Sequence, residues 1–302
     1  MRISKSSLGL PFLATRYSSS AGSRGKAPLV EVHDQFLQLM AGAPSVCSSG
    51  RVVFGVDRRV ATISLDNPKK RGAVDAKMFL ELARAVDSVE SLCESGEVGG
   101  VVLRGAGGGA FSAGLDLDLA TQVLNTPSRG VGMCDFMTDL LNRVRDCAAV
   151  SVCLINGAAI GGGSELITCT DYRVMLAGAR IQSVHARIGA APGWGGTTRL
   201  AQLVGKREAL RLLGSSHSLD AEEAHRIGLI DEIIPEGEDG DAAALRRLEP
   251  FLNSKQSSKS VGGIKYTLAA ADEEEMMIRE GEVFYERWFS TENQDAIKKA
   301  RK

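Results

Sequence analysis

Three consecutive glycines, Gly161-Gly162-Gly163, stand between an apolar run from Val150 to Ile155 and a stretch with Leu166, Ile167 and Cys169 at helical spacing. Glycine lacks a Cβ, so a strand-to-helix turn built from three of them brings bare backbone N–H groups close to a neighbour. The first N–H groups of a helix have no intrahelical partner and carry the positive end of its dipole. Such a place suits an anion, or an oxygen that becomes anionic during a reaction. Glu165 lies in the same turn and sets a carboxyl group beside that oxygen. A second glycine turn, Ala110-Phe111-Ser112-Ala113-Gly114-Leu115-Asp116-Leu117, comes after another strand-like run, Gly100 to Arg104. Two turns offering N–H groups can grip one oxygen from two sides.

The remainder of the chain narrows the function classes. Its 302 residues are 44% apolar, enough for a sizeable core, and no apolar run approaches a membrane span. A formal net charge of -1 argues against a general nucleic-acid or membrane-surface binder. The six cysteines show no Cys-x-x-Cys spacing and read as reduced core residues. His33, His185, His217 and His225 are scattered away from them, so no metal site is expected. Residues 1–30 differ in make-up from the rest of the chain: Arg2, Lys5, Arg16, Arg24 and Lys26 are set among serines, and Glu31 is the first acid. Such a segment predicts a mitochondrial presequence with processing near Arg16-Tyr17-Ser18-Ser19; the alternative is a basic tail on a cytosolic protein.

In chain order, Glu31 to Met40 has the spacing of a short amphipathic helix, and 41–50 reads as a linker. Val52 to Val56 and Val60 to Leu65 form a hairpin. A loop from Asp66 to Ala73 carries Lys69, Lys70 and Arg71 in a row, and a helix starts after Asp75. Thr126 to Gly132 reads as a loop and Phe136 to Val144 as a helix face. Tyr172 to Leu176 is a strand, and Ile181 to Ile188 carries His185 toward Gly189-Ala190-Ala191-Pro192-Gly193-Trp194-Gly195-Gly196. Helices at Thr197 to Val204, Lys206 to Leu213 and Ala221 to Ile227 precede a last strand over Gly228 to Ile234. The recurring strand-strand-helix rhythm favours stacked ββα turns over a doubly wound sheet. It predicts an α/β core over 51–235, a preceding helix and linker over 31–50, and a helical C-terminal subdomain over 236–302.

At this level the sequence resembles the crotonase (enoyl-CoA hydratase/isomerase) superfamily. The matching residues are Asp66-Asn67-Pro68, Phe111 to Leu117, Asn156 to Glu165, Pro192 to Leu200, and Ala224 through Ile230, in family order. The resemblance implies a crotonase-like spiral of stacked ββα units that assembles as a homotrimer or hexamer and binds acyl-CoA thioesters. Coenzyme A then belongs to the substrate, and no separate cofactor is expected. Carried over by position, the thioester oxygen lies between the backbone N–H groups of Leu115 and Gly162. Lys69, Lys70, Arg71, Ala73 and Ala113 occupy the positions that meet the CoA moiety, and the C-terminal helices those that cover CoA and contact neighbouring subunits.

Hydratases of the superfamily use two glutamates. Glu165 stands at the first position, but His185 replaces the second, which weighs against water addition because an acid and a base must both reach the water. Val184 to Gly189, Trp194 to Leu200, Gly132 to Met137 and the Cys169-Thr170-Asp171-Tyr172-Arg173 run are similar instead to the decarboxylating branch, whose substrates are 2-carboxyacyl-CoA thioesters such as ethylmalonyl- and methylmalonyl-CoA. Loss of CO2 leaves an enolate for the two N–H groups to hold, and the enolate then needs one proton. Glu165 is the candidate donor and His185 the candidate for orienting the departing carboxylate or giving the proton itself. Ile188 and Trp194 are candidates for an apolar pocket wall that favours carboxylate loss. A hydratase or isomerase of the same superfamily, or a non-catalytic acyl-CoA binder, is the alternative.

Overall fold

The computed structural model describes residues 27–107, 109–252, 257–270, 273–288 and 290–300, so residues 1–26 of the expected presequence, with its processing point, fall outside the described residues, and its last four, 27–30, already belong to the first helix. Helix α1 (Ala27–Ala41) leads through a short turn into β1 (Arg51–Asp57) and β2 (Val60–Asp66), an antiparallel hairpin as expected. The first sheet adds β3 (Gly100–Gly105), β5 (Val150–Ile155), β7 (Tyr172–Leu176) and β10 (Glu232–Ile234), all parallel to β2, in the order β1-β2-β3-β5-β7-β10. Every residue of β5 is buried, as the middle of a parallel sheet covered on both faces requires.

A second sheet of very short strands runs beside it: β4 (Ala110–Ser112), β6 (Ala158–Ile160), β8 (Ile181–Gln182) and β9 (Ser218–Leu219). The chain visits the two sheets alternately, β3 then β4, β5 then β6, β7 then β8, and goes into helical structure after each pair. This is the spiral of ββα turns the rhythm predicted. Asn156 fastens one corner to the next: its side chain accepts from Gly105 N at 3.1 Å and donates to Gly105 O at 2.7 Å. A Cβ on Gly157 would sit 2.5 Å from the Gly109 carbonyl carbon, so the second corner needs glycine.

The helices are α2 (Ala76–Glu94), α3 (Leu117–Gln122), α4 (Pro127–Asp146), α5 (Gly162–Leu166), α6 (Gly196–Val204), α7 (Lys206–Ser215), α8 (Ala221–Arg226) and, after residue 236, α9 (Gly240–Leu252), α10 (Ser258–Leu268), α11 (Glu273–Arg287) and α12 (Thr291–Ala300). Asp75 caps α2 by accepting from Met78 N at 3.0 Å, and its other oxygen binds Gly50 N. Three expectations are corrected. Thr126 to Gly132 is not a loop: Thr126 caps α4 and Pro127 opens it, so the glycines at 130 and 132 are carried inside a helix nucleated before them. The last strand is confined to Glu232–Ile234, because Leu229 and Ile230 N–H groups turn back to the Ala224 carbonyl. Leu166 to Cys169 is one helical turn followed by a tighter 3-10 turn rather than a full helix.

Helix α9, which the sequence assigns to the C-terminal subdomain, lies on the sheet: Ala243, Ala244 and Leu248 form one buried cluster with Val102, Val152, Leu154 and Val174. Lys265 of α10 reaches in as well. Its ammonium lies 2.7 Å from Asp171 and 2.6 Å from Ala149 O, while Asp171 accepts from Ser151 N and Oγ. The Cys169-Thr170-Asp171-Tyr172-Arg173 run is thus a packing device. Arg173, also buried, donates to Leu229 O and Thr170 O.

Candidate active site

Strands β4 and β6 are parallel neighbours in the second sheet, so the turns that leave their ends emerge side by side. After β4 the chain turns at Gly114 (φ +86°), and after β6 at Gly161 (φ +56°). A Cβ on Gly114 would lie 2.6 Å from Gly162 N, and one on Gly163 would lie 2.1 Å from Ser112 O. The two glycine turns therefore touch, backbone to backbone. Val74 N donates to Gly114 O and Asp116 N to Val74 O, so Leu115 turns its own N–H and C=O away from Val74. Among the described residues neither Leu115 N–H nor Gly162 N–H donates to a protein acceptor.

The cationic loop is laced to the first turn. Ala113 N donates to Arg71 O, Ser112 Oγ to Gly72 O, and Asn67 Nδ2 to Ala73 O. Ala73 is buried and Ala113 partly so, while Lys69 and Arg71 project into solvent. Lys70 differs from them. Its ammonium sits 2.6 Å from the fully buried carboxylate of Asp116 and 2.7 Å from Asp118. Burial alone would lower its pKa, but these two carboxylates outweigh it and push the ammonium up to about 12. Asp116 also caps α3 through Leu119 N at 3.0 Å. Lys70 thus holds the turn's aspartate, which leaves Lys69 and Arg71 as the free cations of the three.

Glu165 is buried below the second turn. Its Oε2 accepts from Trp194 N at 2.8 Å and Gly196 N at 3.0 Å, and its Oε1 from Gly193 N at 3.3 Å. A Cβ on Gly196 would lie 2.4 Å from Glu165 Cγ, so the Pro192 to Gly196 bend wraps the carboxyl group closely. The fourth contact is His185 Nε2, 3.2 Å from Oε1, and His185 Nδ1 in turn lies 2.9 Å from Ser183 Oγ. Three of the four contacts bring N–H groups that keep their protons. The transferable proton belongs to the Glu165–His185 contact, and Ser183 can complete either imidazole tautomer.

Trp194 and Ile188 do not form a wall together. Trp194 is 2% exposed and lies under the glycine triplet, its ring 2.5 Å from where a Gly162 Cβ would be, while Ile188 is 70% exposed. Trp194 serves the site from behind. Its ring meets Phe79 edge-on at 6.2 Å, and Phe79 meets Phe36 of α1 at 5.4 Å. Ile188 points away because it ends a short 3-10 turn, His185–Ile188, whose first residue is the one turned inward.

Sequence reasoning missed three contributors. Arg199, 3% exposed, braces the bend that holds Glu165: it donates to Trp194 O and to Thr168 Oγ1, and burial lowers its pKa. Its trace in the sequence was its place within the Pro192 to Leu200 run, which named no role for it. Ser183 precedes His185 by two residues and carries no pattern of its own. Cys134 on α4 would lie 3.9 Å from a Cβ on Gly193; burial most of all, then the charge of Asp135, push its thiol pKa up. Among the described residues no group of His, Cys, Asp or Glu is arranged to hold a metal ion, and no helix is long and apolar enough to cross a membrane.

The family model described as enoyl-CoA hydratase/isomerase matches residues 55–301. The ethylmalonyl-CoA decarboxylase of Mus musculus is 35% identical over 248 residues, 80% of this chain and 75% of that protein. That of Homo sapiens is 32% identical over 251 residues, 82% of this chain and 80% of that one. Among solved structures, DspI of Pseudomonas aeruginosa is similar with a TM-score of 0.74 and 26% identity, covering 83% of this chain and 94% of DspI. An enoyl-CoA hydratase from Bacillus anthracis has a TM-score of 0.74 at 21% identity, covering 84% and 96% of the two chains, a likeness of fold. Sequence relatives at a third identity and the shared ββα spiral agree with the resemblance carried by the motifs: this chain belongs to the enoyl-CoA hydratase/isomerase family, the crotonase superfamily.

Proposed function

We propose that the chain is a carboxy-lyase that decarboxylates a 2-carboxyacyl-CoA, with ethylmalonyl-CoA and methylmalonyl-CoA as substrates. The observation that carries this reading is the backbone contact of the two glycine turns, which supports a shared place for the Leu115 and Gly162 N–H groups, neither of which has a protein acceptor among the described residues. The thioester oxygen rests between them. As the bond from the α-carbon to the carboxylate breaks, its electron pair moves into the thioester, CO2 leaves, and the two donors stabilise the enolate oxygen. Removing one such donor typically costs ~2.7–4 kcal/mol of barrier. The Glu165–His185 pair then delivers one proton to the α-carbon. The names of the decarboxylase relatives, and a histidine at the position where hydratases carry their second glutamate, support loss of CO2 over addition of water.

Lys69, Arg71 and the backbone of Ala73 and Ala113 receive the CoA end, on the loop laced to the first turn. Trp194 supports the Gly162 turn. The family resemblance supports a homotrimer or hexamer as the working form, and the make-up of residues 1–30 supports a mitochondrial location over a cytosolic one. Turnover of purified protein on malonyl-, methylmalonyl-, ethylmalonyl- and crotonyl-CoA tests the chemistry: CO2 from the substituted malonyl thioesters is expected. Hydration of crotonyl-CoA with no CO2 from the others would replace this reading with the hydratase one.

A further inference from the structure

We propose that His217 is a positioning residue for the Glu165–His185 pair, acting through one internal water and Ser183 to decide which nitrogen of His185 carries its hydrogen. The inference rests on the role proposed above for that pair. Strands β8 and β9 are antiparallel, with Ile181 opposite Leu219 and Gln182 opposite Ser218. The same register carried one residue further sets Ser183 across from His217, on the face shared by Ile181 and Leu219. These four residues, with Ser164 and Glu165, line one cavity of about 20 Å³. That is room for a single water, among enough polar groups to bind it.

The groups along this line have capacity to spare for it. Ser164 Oγ donates to Gly161 O at 2.7 Å, which leaves its lone pairs to accept from the water. Ser183 Oγ lies 2.9 Å from His185 Nδ1, and His185 Nε2 lies 3.2 Å from Glu165 Oε1. His217 Nε2 is 2.7 Å from Glu223 Oε2, which leaves Nδ1 for the water. That hydrogen bond, most of all, holds the Glu223 carboxyl below its usual range, so Nε2 keeps its hydrogen. The His217 side chain is 39% exposed, whereas Ser183 and Glu165 are buried, so bulk protons meet the line at His217. The charged groups around it come from four elements. Glu223 of α8 also holds Arg211 of α7 at 2.8 Å and Arg226 at 3.7 Å, and Arg211 holds Glu208. Arg187 of the 3-10 turn donates to Ser216 O at 3.4 Å, and Glu165 of α5 stands across the cavity.

The charge on His217 sets the direction of every hydrogen bond in the line. With Nε2–H on Glu223, a charged His217 presents Nδ1–H to the water. The water then donates to Ser164 and Ser183, and Ser183 turns its own hydrogen to His185 Nδ1. The His185 hydrogen therefore stands at Nε2, against the Glu165 carboxyl group. A neutral His217 presents a bare Nδ1 that accepts from the water. Ser183 now donates to the water and accepts from His185 Nδ1–H, and His185 Nε2 is left bare toward Glu165. Hydrogen bonds in a buried chain polarise one another, so a reversal at one end reaches the other. The first direction keeps a donatable hydrogen between His185 and Glu165, the place from which the α-carbon is protonated.

The chain has four histidines, few enough to follow singly by nitrogen-15 NMR in histidine-labelled protein. The full-length protein is titrated from about pH 5 to 8, the span in which histidines change charge. The ring nitrogen shifts separate the two neutral tautomers from each other and from imidazolium. His185 of the wild type is expected to pass from Nε2–H to Nδ1–H at the pH where His217 loses its proton. In His217→Phe that change is lost. It is also lost in His217→Gln, whose amide replaces Nε2 on Glu223 but carries no titrating group, so a merely structural role would be rescued there. The kcat for CO2 release from ethylmalonyl-CoA should fall at the same pH in wild type and stay level in both variants. A His185 that keeps one state throughout, or responds alike in wild type and variants, would overturn the proposal. Wild-type protein that shows the His217-dependent change but releases no CO2 would uphold the hydrogen-bond line and remove the decarboxylase reading instead.

Discussion

Gly114→Ala tests the contact on which the proposed chemistry stands. The new Cβ would lie 2.6 Å from Gly162 N, 2.9 Å from Ile160 O and 3.2 Å from Gly162 Cα. All three are backbone atoms, which give less readily than a side-chain tip. Ordinary carbon contacts lie at ~3.5–4.0 Å, so the turns must part by roughly 1 Å. Separate from this, alanine at φ +86° carries strain, about 1–2 kcal/mol for a left-handed conformation. Gly228→Ala has the same kind of backbone strain at φ +75° with nothing within 4 Å of the added atom, which isolates that cost. Overpacking adds ~1–3 kcal/mol to the stability loss at Gly114. A 1 Å parting misplaces one of two oxyanion donors, an effect of ~10²–10³ in kcat. Both variants are assayed for CO2 release and thermal unfolding. Gly228→Ala should lose Tm and keep its kcat; Gly114→Ala should lose more Tm and about two to three decades of kcat. A Gly114→Ala enzyme within about threefold of wild-type kcat, a difference under ~1 kcal/mol of barrier, would refute the shared oxyanion site.

Other perturbations probe the support around it. Glu165→Gln and His185→Ala should each lower kcat by ~10²–10⁴ while the affinity for an unreactive acyl-CoA, measured by calorimetry, stays near wild type. Arg199→Met removes the brace behind Trp194 O and Thr168 Oγ1 and should cost about 3 kcal/mol in urea unfolding; turnover should fall with KM little changed, because the bend orients Glu165. Lys70→Met leaves the buried Asp116 without its cation, a loss near the lower end of the ~3–5 kcal/mol typical of a broken buried pair, since Lys70 keeps some solvent exposure. Lys70 is raised in the folded state, so its contribution is complete below ~10.4, the unfolded value, and disappears as pH rises through about 12. Urea midpoints of wild type and Lys70→Met should therefore converge only at strongly alkaline pH.

The long elements were legible because each carries a full period of pattern. The β1–β2 hairpin, β5 and helices α2, α6 and α7 begin and end within a few residues of where hydrophobic spacing and turn residues put them. The second sheet was not legible. Strands of two or three residues such as β8 and β9 show no alternation, and their pairing depends on corners that only the folded chain brings together. The glycine turns were visible because backbone approach needs glycine itself. What Glu165 binds was not, since its donors are backbone groups 28–31 residues away whose side chains carry no record of the bond. Lys70 misled for a related reason: its neighbours Lys69 and Arg71 share its charge, but only Lys70 lies within reach of Asp116 and Asp118.

Helix α1 precedes the family-matched span, which begins at residue 55, yet Phe36 touches Phe79, Phe79 touches Trp194, and Trp194 floors Gly162. The family-matched part of the chain therefore leans on a segment that family resemblance alone would discard. Any shortened version cut at the hairpin would pull out the first rib of an aromatic keel, and its damage would surface far from the cut, at the amide proposed to meet the substrate.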